Sequence, residues 1–337
     1  MEVSLFTNGI NTPSSRFRIY QFLDKVQDEF NYNIYPLATE KGTGKNYFSK
    51  GNRLFHRVIN LASARIRGDR ILIQKMLIFR NNINLEKLIF SSAKNGVIVD
   101  FDDSIFLQHP KFSYSVANAD LVIVGNSFLA DWATNFTNNV KIIPTSIDTS
   151  RFIFKEIKLC QKEIIIGWTG TKDNLRYIEE IADVFKSLTR KYKFKFIIIS
   201  DFDKIPSFLS GIPFNMVQWN KEKEIEQLKL LDIGIMPLPD NQWTRGKCGF
   251  KLLQYMATGI LAIGSDVGTN KEIILDGENG LLCSSKEEWY EKIDWVLKNY
   301  GSSKFLSMIY NARETVINKY SVEGNFRNFI TAITQLN

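Results

Sequence analysis

The 337 residues are long enough for two domains of roughly 150 residues each. Hydrophobic residues at 44% and charged residues at 23% exclude a disordered or low-complexity chain. The 43 Lys and Arg against 36 Asp and Glu leave a net charge of +7, which suits phosphorylated ligands or an anionic membrane surface; the lysines are scattered rather than clustered, so nucleic acid is not expected as a partner.

Along the chain, short β-branched runs alternate with longer helical patterns. Strands are expected at Val3–Thr7, Asn33–Leu37, Arg70–Lys75, Val97–Phe101, Leu121–Gly125 and Lys141–Pro144. A second set follows at Glu163–Thr169, Lys195–Ser200, Asn215–Trp219, Ile233–Leu238, Ile260–Ser265 and Gly280–Cys283. Continuous apolar runs such as Val97-Ile98-Val99 and Ile164-Ile165-Ile166 read as strands covered on both faces. The alternation predicts βαβ units on parallel sheets, hence an α/β chain of two Rossmann-like, doubly wound domains facing across a cleft. Residues 1–155 form the first domain and 156–319 the second, with the seam near Ile147–Gln161. A last helix over 320–337 packs back on the first domain.

Ligands of doubly wound sheets sit beyond the carboxyl ends of the strands. In the first domain Gly9 follows the first strand there. Arg16 and Arg18 open the first helix as exposed arginines, where the dipole disfavours cations, which points to an anion facing them; surface arginines on an amphipathic helix are the alternative. Asp100, Asp102 and Asp103 end the strand Val97–Phe101, and such crowding of carboxylates often marks a site, a structural cap being the alternative. An Asp-x-Asp triplet can bind a divalent metal, but the tandem Rossmann pattern favours chemistry without one, and no metal site is expected. His56 receives no role, and His109 lies close enough in sequence to Asp103 to enter the same region.

In the second domain, a helix over Cys248–Thr258 is expected, stopped by Gly259. It is apolar on nearly every side, as a buried helix is. Lys247, Lys251 and Gln254 are spaced i, i+4, i+7 and so share one face. Cations at a helix start, joined to its free N–H groups and dipole, suit a diphosphate; a solvated stripe is the alternative.

The stretch Gln254-Tyr255-Met256-Ala257-Thr258-Gly259, the strand after it, Gly268-Thr269-Asn270-Lys271-Glu272-Ile273 and Asp276-Gly277-Glu278-Asn279-Gly280 resemble the donor-binding region of family-4 glycosyltransferases. These are retaining enzymes of the GT-B fold. The likeness extends to Ile166-Gly167-Trp168-Thr169-Gly170 upstream and to Tyr320-Ser321 downstream. Two departures stand out: the family's Glu-x7-Glu pair falls on Gly246 and Gln254, and Trp168 stands where an arginine is usual. The chain resembles a subgroup with Gly-Lys-Cys-x-Phe-Lys in that place.

The resemblance implies transfer of a sugar, with retention, from a nucleotide-diphosphate donor to a hydroxyl acceptor. Lys247 and Lys251 would neutralise the diphosphate, with Lys172 assisting. Gly170, Gln254, Gly268, Asn270 and Glu272 would line the donor, Gln254 reaching the ribose. Asp102 takes the place of a histidine that contacts the donor sugar, and Asp103, Gly9, Arg16 and Arg18 lie on the acceptor side. No cofactor is expected beyond the nucleotide sugar. The acceptor would be a glycan or a lipid-linked glycan in surface polysaccharide or glycolipid assembly. A sugar-nucleotide epimerase and a non-catalytic sugar-nucleotide-binding subunit are the rival readings. Three separated cysteines, Cys160, Cys248 and Cys283, argue for a reducing compartment. No signal peptide or spanning segment is expected, which implies a cytoplasmic protein with peripheral contact at an anionic inner membrane face.

Overall fold

The computed structural model describes residues 1–37, 50–77, 84–91, 93–157, 163–202 and 204–336. Two compact units emerge. Unit 1 holds Met1–Ser146, Gly246–Cys248 and Val322–Asn337, and unit 2 holds Ile147–Arg245 and Gly249–Ser321.

Each unit is built on a six-stranded parallel sheet. Unit 1 contains β1 (Glu2–Thr7), β2 (Asn31–Pro36), β3 (Arg70–Gln74), β4 (Val97–Phe101), β5 (Leu121–Val124) and β6 (Val140–Ile142), in the order β2-β1-β3-β4-β5-β6. Unit 2 contains β7 (Ile164–Thr169), β8 (Phe194–Ser200), β9 (Phe214–Gln218), β10 (Ile233–Met236), β11 (Leu261–Ser265) and β12 (Leu281–Cys283), in the order β12-β11-β10-β7-β8-β9. All twelve expected strands are present, within two residues at either end. The long apolar runs predicted this because β4 and β5 are buried at every position, between helices on both faces of the sheet. Chain order reverses between β1 and β3 in unit 1 and between β7 and β10 in unit 2. The carboxyl ends of those strands are therefore the places to seek ligands.

The core of unit 2 joins Trp168, Phe185, Phe196 and Ile263 to Trp289 and Phe305. In unit 1, Phe329 of the last helix, Val322–Thr334, stacks on Phe22 with ring centroids 4.5 Å apart. Arg70 also donates to the Ile333 carbonyl at 2.6 Å.

The boundary between units falls at Ser146/Ile147, not at 155/156 as the sequence suggested. Residues 147–157 are held by unit 2. Arg313 donates to the carbonyls of Thr149 at 3.1 Å and Phe152 at 2.9 Å, Phe154 stacks on Tyr310, and Lys155 pairs with Asp232 at 3.2 Å. Cys160 and the end of the expected seam lie outside the described residues.

The helix expected from Cys248 begins two residues later, at Phe250, and runs to Thr258. Gly249 interrupts it, with a left-handed φ of 64° that a side chain would oppose. Gly259 ends the helix as expected, in the left-handed conformation.

Candidate functional site

Two polar constellations stand at strand carboxyl ends, one in each unit. In unit 2 the helix Phe250–Thr258 supplies the first. Its N-cap is Gly249, so no side chain caps it. Lys251, in its first turn, lies with its ammonium 5.5 Å from the centre of the Trp168 ring, within cation–π range. The lysine stem crosses Gly170, just past β7. A Cβ on Gly170 would stand 2.8 Å from Lys251 Cε and 2.6 Å from the Trp168 ring, so only glycine leaves the lysine this path.

One turn further, Tyr255 is fully buried and its hydroxyl bridges the two strands of the switch point. It accepts from the Thr169 N–H of β7 at 3.1 Å and reaches the Ile235 carbonyl of β10 at 3.4 Å. Burial pushes this phenol well above its ordinary value, so it stays a neutral hydroxyl able to do both. The ring lies where a Cβ on Gly234 would be.

The loop after β11 completes this region. Gly268, at φ 51°, packs its backbone on that of Arg245; a Cβ there would meet the Arg245 carbonyl at 2.7 Å. Asn270 is buried and donates to the Ser265 carbonyl at 2.9 Å. It is therefore a brace for the loop rather than an exposed donor contact. Glu272 is exposed, and its carbonyl accepts from Tyr320 at 3.1 Å. Lys172 is exposed just beyond β7, where its N–H donates to Asp201 at 2.8 Å.

Gln254 departs from expectation. It is 5% exposed and its amide nitrogen donates to Glu224 at 3.3 Å, so that donor is already engaged inside unit 2. Lys247 departs too. It precedes the left-handed Gly249 and lies outside the helix, so Lys247, Lys251 and Gln254 do not form one stripe.

The second constellation, in unit 1, surrounds the end of β4. Arg16 and Arg18 are buried, not exposed. Arg18 forms an ion pair with Asp100 and donates to the Ile143 carbonyl at 2.5 Å, and Arg16 lies 4.2 Å from the Phe17 ring. The anion that Arg18 faces is thus part of the chain. Lys75, just past β3, pairs with Asp102 at 2.9 Å and Asp103 at 2.6 Å, and Ser14 donates to Asp102 at 2.5 and 2.6 Å. The three carboxylates are therefore answered by two cations and a hydroxyl, which removes the repulsion expected of them.

Burial alone would raise the Asp102 carboxyl, but Lys75 and Arg18 hold it below its ordinary value. Among the described residues, Lys75 is the one non-glycine with positive φ, at 61°. That conformation costs ~1–2 kcal/mol for a side-chain-bearing residue, and such strain collects at functional sites. Gly9, at φ 105°, turns the chain after β1, its carbonyl accepting from Thr12.

The segment Gly246–Cys248 belongs to this unit. Asn126, the N-cap of the helix Ser127–Ala133, donates to the carbonyls of Gly246 at 3.2 Å and Lys247 at 3.3 Å. The Cys248 thiol donates to the Asp102 carbonyl at 3.3 Å. A Cβ on Gly246 would fall on Ser104 Oγ. The position that the resemblance gives to a glutamate is thus sterically closed.

Residues 163–299 match the family model described as Glycosyl transferases group 1. The fold is that of the GT-B glycosyltransferases. A glycosyltransferase from Rickettsia africae superposes over 100% of this chain and 99% of its own, with a TM-score of 0.70 at 13% identity. Sucrose-phosphate synthase from Thermosynechococcus elongatus covers 98% and 97%, with a TM-score of 0.74 at 13% identity. HepE from Anabaena, solved in complex with UDP, covers 98% of each chain, with a TM-score of 0.72 at 12% identity. A comparison with curated protein sequences gives no match. No described helix is long and apolar enough to cross a membrane.

The Lys75 pairs generate a stability prediction. A carboxylate held below its ordinary pKa stabilises the fold above the unfolded value, near 3.9 for Asp, and that contribution fades as pH falls through the folded value. Lys75→Met should destabilise the fold by about 1–3 kcal/mol at neutral pH, between the worth of an exposed pair and the cost of breaking a fully buried one, because these side chains are half-buried. The deficit should shrink once acid neutralises Asp102. Urea unfolding of both proteins at pH 7 and pH 3 checks this.

Proposed function

We propose that the protein is a glycosyltransferase that moves a sugar from a nucleotide-diphosphate donor to a hydroxyl acceptor, with retention. The observation that carries this reading is Lys251: a cation in the first turn of a helix without a capping side chain, seated over Trp168 and Gly170 at the switch point of unit 2. The group 1 match over residues 163–299 supports it, and a GT-B neighbour, HepE, was solved with UDP and with UDP-glucose.

As the glycosidic bond breaks, the leaving diphosphate gains negative charge. A fixed ammonium and the positive end of a helix stabilise that charge more than the ground state, which is what lowers a barrier. Lys251 supplies this in our reading, with Lys247 and the exposed Lys172 adding charge. Gly170 and Gly268 let the donor approach the backbone, and the exposed Glu272 is a contact for the sugar. With Gln254 engaged by Glu224, the ribose takes its hydrogen bonds elsewhere, from backbone groups beyond β7 to β10.

In unit 1 we assign Asp102 to sugar or acceptor contact, oriented by Lys75 and Ser14. Asp103 and the turn at Gly9 extend that surface. Arg16 and Arg18 are not acceptor contacts; Arg18 pairs with Asp100 and holds it in place. The reaction uses no metal in this reading, because side-chain and helix charges neutralise the diphosphate. A glycan or lipid-linked glycan, in surface polysaccharide or glycolipid assembly, is the acceptor class we infer, with peripheral contact at an anionic membrane.

Lys251→Ala should cut turnover with a nucleotide-sugar donor at least tenfold, and up to about a hundredfold, the usual cost of one preorganised charge donor, while thermal stability is kept. Lys247→Ala should lose at least about tenfold, the lower part of that range. Steady-state assays on a panel of UDP-, GDP-, ADP- and dTDP-sugars test this, and wild-type rates in both variants would refute the assignment. Activity should also survive EDTA; loss that manganese restores would return a metal role to Asp100 and Asp102. Donor binding with no turnover on any acceptor would instead favour a non-catalytic subunit.

A further inference from the structure

We propose that the outer face of the helix Lys50–Arg67 in unit 1 is a docking surface for an anionic lipid bilayer. This deepens the peripheral-membrane reading above by naming the surface. The inner face of this helix is set by Arg57, Leu61 and Ala64, all buried. Arg57 anchors it, donating to the carbonyls of Tyr35 and Thr7 at 2.9 Å each, beside the Phe6 ring. Burial lowers this guanidinium to about 10, so it remains charged at neutral pH.

Successive residues turn by about 100°, which puts Phe55, Ile59, Ala62 and Ile66 on the side opposite that anchor. They fall at i, i+4, i+7 and i+11, one continuous stripe. Phe55 is 62% exposed, Ile59 44% and Ile66 81%, with Val58 exposed beside them. The spacing that usually buries a helix against a core is here turned outward. Arg65 is exposed on one flank of the stripe, and His56 and Arg67 on the other, Arg67 also pairing with Asp69. Over its 18 residues the helix carries no Asp or Glu.

Charge decides among occupants. Apolar side chains flanked by arginines, on a helix with no acidic residue of its own, are the pattern of helices that lie in a bilayer interface, where an arginine reaches the headgroups. A second copy meeting this face about a two-fold axis would set the same face against itself, with no carboxylate on the helix to receive Arg65. Nucleic acid would leave the stripe of Phe and Ile without a partner.

Flotation with vesicles tests the proposal without any substrate, so its outcome is independent of transferase activity. Wild-type protein should float with phosphatidylcholine vesicles containing phosphatidylglycerol, and salt should weaken the association. The triple variant Phe55→Ser, Ile59→Ser, Ile66→Ser should lose at least tenfold in affinity, and Arg65→Glu should weaken binding severalfold. All four positions are exposed, so circular dichroism and thermal melting should match wild type. Undiminished floating of the triple variant would overturn the assignment of this face while leaving peripheral binding intact. Failure of the wild type to float would overturn both. A dimer that the triple variant converts to monomer, without vesicle binding, would give the surface to a second copy instead.

Discussion

The functional account depends on one contact in unit 2: the Lys251 side chain laid across Gly170 and the Trp168 ring. Without it the helix Phe250–Thr258 would be an ordinary buried helix behind a parallel sheet. The contact exists because three small or left-handed positions allow it. Gly249 starts the helix where it does, Gly170 leaves the lysine its path, and Gly234 admits the Tyr255 ring that locks the helix to both strands of the switch point. A cation is thereby fixed where a doubly wound sheet receives its ligands. A fixed charge is worth more to a transition state than a mobile one, because no reorganisation is needed as charge develops.

Unit 1 solves a different electrostatic problem. It gathers Asp100, Asp102 and Asp103 at one strand end and balances them with Arg18 and Lys75. Each pair constrains backbone as well as charge. Arg18 ties the ends of β4 and β6 together through Asp100 and the Ile143 carbonyl, and Lys75 accepts a left-handed φ to reach both remaining carboxylates. The Gly246–Cys248 segment then packs on this end of the sheet through Asn126 and the Asp102 carbonyl. Its close approach to Ser104 explains why glycine, not glutamate, stands at 246.

Much of this was legible in the sequence, and the rest was hidden for identifiable reasons. Runs such as Ile164-Ile165-Ile166 announce buried parallel strands because local burial and β-branching coincide there. Gly259 marks its helix end for an equally local reason. What could not be read were partnerships over long sequence separations. Arg18 finds Asp100 at a separation of 82 residues, so it looked like an exposed arginine in an unfavourable place. Gln254 finds Glu224 at a separation of 30 residues, so its donor looked available. Lys75 read only as the last residue of a strand; its strain arises from two aspartates on the neighbouring strand end. Spacing alone groups Lys247 with Lys251 and Gln254 on one face, because Gly249 gives no local sign that it takes the left-handed conformation.

The most direct test of the central claim is calorimetric titration of nucleoside diphosphates and of the matching nucleosides into wild-type protein and Lys251→Ala. The account predicts that the diphosphate loses at least tenfold in affinity in the variant while the nucleoside binds both proteins alike. Equal diphosphate affinity in the two proteins would contradict it.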